Sequence, residues 1–168
     1  SNQLDTLRAA LAVEMLHNFT LVHDDIMDQD KLRHGQPTIH VKWDNATAIL
    51  TGDALLSLSL RKLNEINTRR KEIMLAFSKG LISVCEGQAL DKEYELKGMI
   101  TKEQYIDMIK LKTGHLMGLS AELGAIVGGA TKSQVENIKV FVKKAKGEKC
   151  SRCWKILEAS CERSNCGL

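Results

Sequence analysis

The chain has 168 residues, enough for one domain with a sizeable core. Apolar residues make up 43% and charged residues 27%, the balance of an ordinary globular chain, and a net charge of only +3 excludes a general electrostatic pull on nucleic acid. No secretory pattern opens the sequence and no apolar run reaches membrane-spanning length, so a cytoplasmic protein without a transmembrane segment is expected.

Pro37 is the only proline, which favours long helices. Leu4, Leu7, Leu11, Met15, Phe19 and Val22 recur every three or four residues and predict a helix from Leu4 to about Met27. A loop over 29–40 follows, broken by Gly35 and Pro37. The next helix is expected over 43–64, capped by Asp44 or Asn45. Gly52 interrupts it, which points to close packing or backbone approach. A third helix is expected over 69–93 and contains Cys85, expected as a buried thiol. After a connection over 95–98, Thr101 and Gln104 form a Thr-x-x-Gln capping box and predict a helix to about Leu119. A further short helix is expected over 122–130, and Thr131 opens the last one, through Val135, Ile138 and Phe141. Nothing in the first 145 residues alternates as strands do, so the fold class is all-α, a helical bundle.

The chemistry begins at the end of the first helix. Asp24 and Asp28 lie four apart and project from one helix face, with Asp25 between them. Carboxylates one turn apart can share a hard cation such as Mg²⁺. Phe19, Leu21, Val22 and Ile26 make their surroundings apolar, where unpartnered acids are rare. His23 abuts the acids and is expected to orient them. Arg33 and His34 follow in the loop, a guanidinium suited to an anionic, metal-bound ligand such as a diphosphate. Gln88 and Asp91 share a helix face three residues apart, and Lys112-Thr113 lies in mid-helix, where a lysine turned inward needs an anionic partner.

In order along the chain, HDDIMD followed by R-x-G-x-P-T, then EGQ-x-x-D, then K-T-x resemble the signatures of the trans-prenyltransferases, the polyprenyl diphosphate synthases. The resemblance covers about residues 4–137 and implies a partial isoprenoid-synthase bundle. It implies a transferase joining isopentenyl diphosphate to an allylic diphosphate, with a homodimer as the usual assembly. Asp24, Asp25 and Asp28 would hold Mg²⁺, Arg33 and Lys112 would contact the diphosphate, Gln88 and Thr113 would support them, and Asp91 would stand behind. Phe19, five residues before Asp24, would floor the product tunnel and imply a short C15–C20 product. The family's second arginine is replaced by His34, which can donate a hydrogen bond there without a permanent charge. The family's early Gly-Lys-Arg patch and its second aspartate-rich motif are not found in the chain, so weak activity or none is expected of these 168 residues. A terpene cyclase shares the acid motif, but R-x-G-x-P-T and K-T-x argue against it.

From about Lys139 the character changes. Cys150-x-x-Cys153 with Cys161 and Cys166 is a tetrahedral Zn²⁺ pattern. A-x-G-E-K-C-x-R-C-W resembles the C-terminal zinc module of isoleucyl-tRNA synthetases, implying a zinc-knuckle-like tail concerned with tRNA. The expected division is therefore residues 1–137 as a prenyltransferase core and 138–168 as a zinc tail, a fusion or chimera joined near 134–141.

Overall fold

In the computed structural model the described residues are 3–138, with the backbone of two short strands at 148–149 and 156–157. The elements are α1 (Gln3–Asp28), β1 (Leu32–Arg33), β2 (Gln36–Pro37), α2 (Ile39–Lys42), α3 (Asn45–Asn64) and α4 (Arg70–Lys97). They continue with α5 (Lys102–Ile109), a π-helical turn (Lys110–Gly114), α6 (His115–Val127), α7 (Lys132–Glu136), β3 (Glu148–Lys149) and β4 (Ile156–Leu157). The helices carry the fold, as their apolar spacing predicts; the strands are two-residue pairs.

The core brings Ala9, Ala12 and Leu16 of α1 against Leu63, Ile66, Ile73, Phe77, Leu119, Leu123 and Ile126. The buried face of α1 is thus not the leucine stripe expected from its spacing: Leu4, Leu7 and Leu11 are exposed, while Ala9 and Ala12 are buried. Small residues let α1 approach its neighbour closely, and Ser59 of α3 donates to the Ala12 carbonyl at 2.7 Å. Gly52 serves the same approach, since a Cβ there would stand 2.2 Å from His23 Nε2.

Helix ends follow side-chain capping. Asp44 caps α3 by accepting from the Thr47 amide, so α3 starts at Asn45 and Trp43 lies outside it, ending α2. Thr101 and Gln104 form the expected capping box, and Thr131 with Gln134 forms a second. α4 runs on to Lys97, through the connection expected at 95–98, and stops where Gly98 takes φ +72°. The helix expected at 122–130 is instead part of α6, which continues from α5 through the π-helical turn. α7 ends at Glu136 rather than reaching Phe141, and residues from 139 on lie outside the described side chains.

α4 is long and apolar enough to cross a bilayer by length and composition alone, a test that core helices of soluble proteins also pass, and 33% of its most apolar window is buried in the bundle.

Two polar clasps close the end of the bundle away from the acids. Asp5 is fully buried and accepts from Arg8 at 3.0 Å and from the Thr68 hydroxyl at 3.0 Å, tying the start of α1 to the α3–α4 connection. Arg69, at φ +46°, forks onto both Glu72 oxygens and donates to the Ala130 carbonyl, linking α4 to the end of α6.

Candidate active site

α1 ends in a tight turn. Gln29 takes φ +55°, the Asp30 amide returns to the Asp25 carbonyl at 3.0 Å, and the Gln29 side chain donates to the Ile26 carbonyl at 2.6 Å. The loop expected over 29–40 then folds into a hairpin, Leu32 opposite Pro37 and Arg33 opposite Gln36. His34 and Gly35 form its two-residue turn, with φ of +51° and +77°. This ribbon delivers Arg33 back onto α1. Arg33 Nε donates to Asp25 Oδ1 at 2.6 Å and its Nη2 lies 3.7 Å from Asp24. Asp25 is only 6% exposed, so the guanidinium is its counter-charge, and that bond, ahead of the opposing effect of burial, raises the Arg33 pKa.

Lys112 reaches the same carboxylates from the π-helical turn. Its Nζ donates to Asp24 Oδ1 at 3.0 Å and Asp91 Oδ2 at 2.6 Å. Burial works against its charge, but the bonds to Asp91 and Asp24 outweigh burial and raise its pKa. The turn can sit here because residue 87 is glycine: a Cβ would stand 2.2 Å from the Lys112 backbone nitrogen. Asp91, expected behind the site, is a direct partner of Lys112. Asp28 is bound by Lys92, a residue the sequence did not single out, at 3.0 Å. Lys92 lies in DKEYELK, which reads as a solvated run; its partner lies 64 positions away, so no local spacing marks it.

The cluster opens into a cavity of about 690 Å³ between α1, α4 and α6. Asp24, Gln88, Lys92, Lys112 and Thr113 line its polar part, and Phe19, Val84, Leu116 and Met117 its apolar part. Gln88 Nε2 is buried with no protein acceptor, a spare donor at the cavity. Phe19 packs on the core and tilts against His23 at a ring distance of 4.7 Å. Cys85, expected buried, is exposed and lines the cavity; partial burial and the Glu86 carboxylate push its thiol pKa up. His34 stands apart, exposed at the hairpin turn; His23 lines the cavity but turns its Nε2 to α3, 3.3 Å from the Ile49 carbonyl and 3.9 Å from Asp53, instead of orienting the acids.

Among the described residues no three acidic, imidazole or thiol groups converge as a ready-made metal cage. Asp24, Asp25 and Asp28 still suit Mg²⁺, which takes one or two carboxylates and completes its shell with phosphate oxygens and water. Cys150, Cys153, Cys161 and Cys166 lie outside the described residues.

A profile of the family described as polyprenyl synthetase matches residues 1–145. A geranylgeranyl diphosphate synthase of Methanosarcina mazei is 42% identical over 144 residues, 84% of this chain and 44% of that protein. Another, of Saccharolobus solfataricus, is 47% identical over 137 residues, 78% of this chain and 41% of that protein. The crystal structure of geranylgeranyl pyrophosphate synthetase from Pyrococcus horikoshii superposes with a TM-score of 0.77 at 37% identity, over 81% of this chain and 42% of that one. The chain thus spans less than half the length of each of these proteins.

Proposed function

The chain belongs to the polyprenyl synthetase family, and from that premise we propose that the intact protein condenses isopentenyl diphosphate with an allylic diphosphate to give a short prenyl diphosphate. The observation that carries this reading is Lys112 held between Asp24 and Asp91, with Asp24 and Lys112 on the wall of a largely apolar pocket and Arg33 on Asp25 beside them.

The allylic C–O bond breaks, the diphosphate leaves with the electron pair, and the double bond of isopentenyl diphosphate attacks the allylic carbon before losing a proton. The hard step is separating that negative charge. Mg²⁺ held by Asp24, Asp25 and Asp28 would neutralise part of it when bound. Arg33, whose Nε and Nη2 rest on Asp25, would turn its remaining Nη1 to diphosphate oxygens and Lys112 would add a point charge, both fixed in advance by their carboxylates. Gln88 Nε2 supplies the free donor beside them. Phe19 and Leu116 give the hydrocarbon an apolar wall, and a C15–C20 product is in keeping with the names of two relatives, both geranylgeranyl diphosphate synthases. A homodimer belongs to the same reading and is tested by light scattering.

The test is incorporation of labelled isopentenyl diphosphate onto geranyl diphosphate, with Mg²⁺ and with chelator. Chelator-sensitive prenyl product is expected from a chain covering the relatives' full length, with less or none from these 168 residues. A full-length protein that makes no product sinks the reading.

For the tail we propose Zn²⁺ bound by Cys150, Cys153, Cys161 and Cys166. Its support is the cysteine spacing, together with the antiparallel pairing of Glu148–Lys149 with Ile156–Leu157, whose joining segment contains the CxxC. One zinc per chain by elemental analysis is expected, and salt-sensitive tRNA retention if the tail serves tRNA. A zinc-free protein purified without chelator rules both out.

A further inference from the structure

α1 ends against its own electrostatics. Its final turns hold Asp24, Asp25 and Asp28 and its last turn has no basic residue, although the helix dipole already concentrates negative charge there. Three cations from other elements oppose this. Arg33 and Lys112 have a place in the diphosphate reading; Lys92 does not. Its ammonium donates to Asp28 Oδ1 at 3.0 Å and to the Met27 carbonyl at 3.1 Å, and pairs with Glu95 Oε2 at 2.6 Å. It therefore takes both a carboxylate and a main-chain carbonyl of the last turn of α1, which is what a bound cation would do there. Glu95, ahead of Asp28, raises its pKa, so the charge is permanent at any working pH.

We propose that Lys92 is the resident counter-ion of Asp28: it caps α1 in the metal-free protein and must yield that carboxylate before Asp28 can ligate a divalent cation. The inference rests on the metal reading of the acid loop. Yielding Asp28 removes one of three partners, while Glu95 and the Met27 carbonyl keep the ammonium in place. Lys92 thus sets the metal affinity of the site and keeps the end of α1 ordered without metal.

The experiment is Mg²⁺ titration of the 168-residue chain and its Lys92→Gln variant at fixed ionic strength, by calorimetry and thermal unfolding. Without metal the variant unfolds at a lower temperature than the parent. It binds Mg²⁺ roughly three- to tenfold more tightly, because a competing charge is gone, and shows the larger Mg²⁺-dependent rise in melting temperature. A purely structural lysine would lower the melting temperature and leave the affinity equal or weaker, and that result overturns the proposal while sparing the metal reading. Absence of saturable Mg²⁺ binding in the parent, or binding untouched by Asp28→Asn, overturns both. Should Lys92→Gln fail to fold, Glu95→Gln frees Lys92 to hold Asp28 harder; weaker Mg²⁺ binding is then expected, and equal or tighter binding refutes the proposal.

Discussion

Lys112 holds two carboxylates at once, Asp24 and Asp91, and its removal would take the cation from Asp91 and leave Asp24 only the more distant Arg33, 3.7 Å away. Lys112→Gln is expected to weaken Mg²⁺-pyrophosphate binding roughly ten- to a hundredfold, the worth of a hydrogen bond to a charged group; calorimetry reads it directly. Asp5 makes a different prediction. Burial pushes its carboxyl up, but bonds from Arg8 and Thr68 more than offset this and hold it below the ordinary 3.8. A lowered pKa contributes stability above the ordinary value and loses it as pH falls through the folded one. Asp5→Asn should therefore lower the urea midpoint near pH 7, with the gap to the parent narrowing below pH 3.8. Asp24, Asp28, Arg33 and Lys112 were legible in the sequence because each sits in a short word of characteristic chemistry. Asp5 and Lys92 were not, because each lies in ordinary polar text and is defined by a partner more than sixty positions away.

Among the elements, α4 and the π-helical turn meet through one absent side chain. A Cβ on Gly87 would collide with backbone, 2.2 Å from the Lys112 nitrogen, whereas one on Gly80 would meet only the Leu119 side chain at 2.8 Å. Gly87→Ala should cost about 2 kcal/mol or more and weaken pyrophosphate binding, while Gly80→Ala should cost less, since Leu119 can turn aside; chemical denaturation of both variants separates them. Helix starts at Lys102 and Lys132 were readable from Thr101 and Thr131, whereas α3 begins two residues later than the expected Trp43, behind Asp44, the first of its two candidate caps. The hairpin was not, because two-residue strands are too short to show a period. The buried face of α1 was misassigned because its leucines outvote its alanines in any hydrophobicity pattern, yet the alanines set how near α3 can come.

Taken whole, the molecule forms an open cavity with walls from three helices, so its contents report on all of them. Phe19→Ala should remove the bulk between the acids and the far wall. Longer prenyl products are expected from a variant of the full-length enzyme, read by chromatography of the dephosphorylated alcohols; an unchanged product spectrum would reduce Phe19 to core. The bundle was recognisable from helical spacing and the order of four short motifs, but the depth of the pocket depends on the packing of α1 against α6, which no local pattern encodes. The π-helical turn gives the α5–α6 rod one residue more than an α-helical ladder requires. That surplus makes the rod unusually exposed to deletion. Losing any single residue of 110–114 would let the ladder close as ordinary α-helix, with helical content intact. Met108 and Leu119, both buried, would keep their register, because the surplus residue is what the bulge absorbs, but Lys112 would no longer reach Asp24 and Asp91. A frame-preserving deletion there would pass a test for folding and fail one for chemistry.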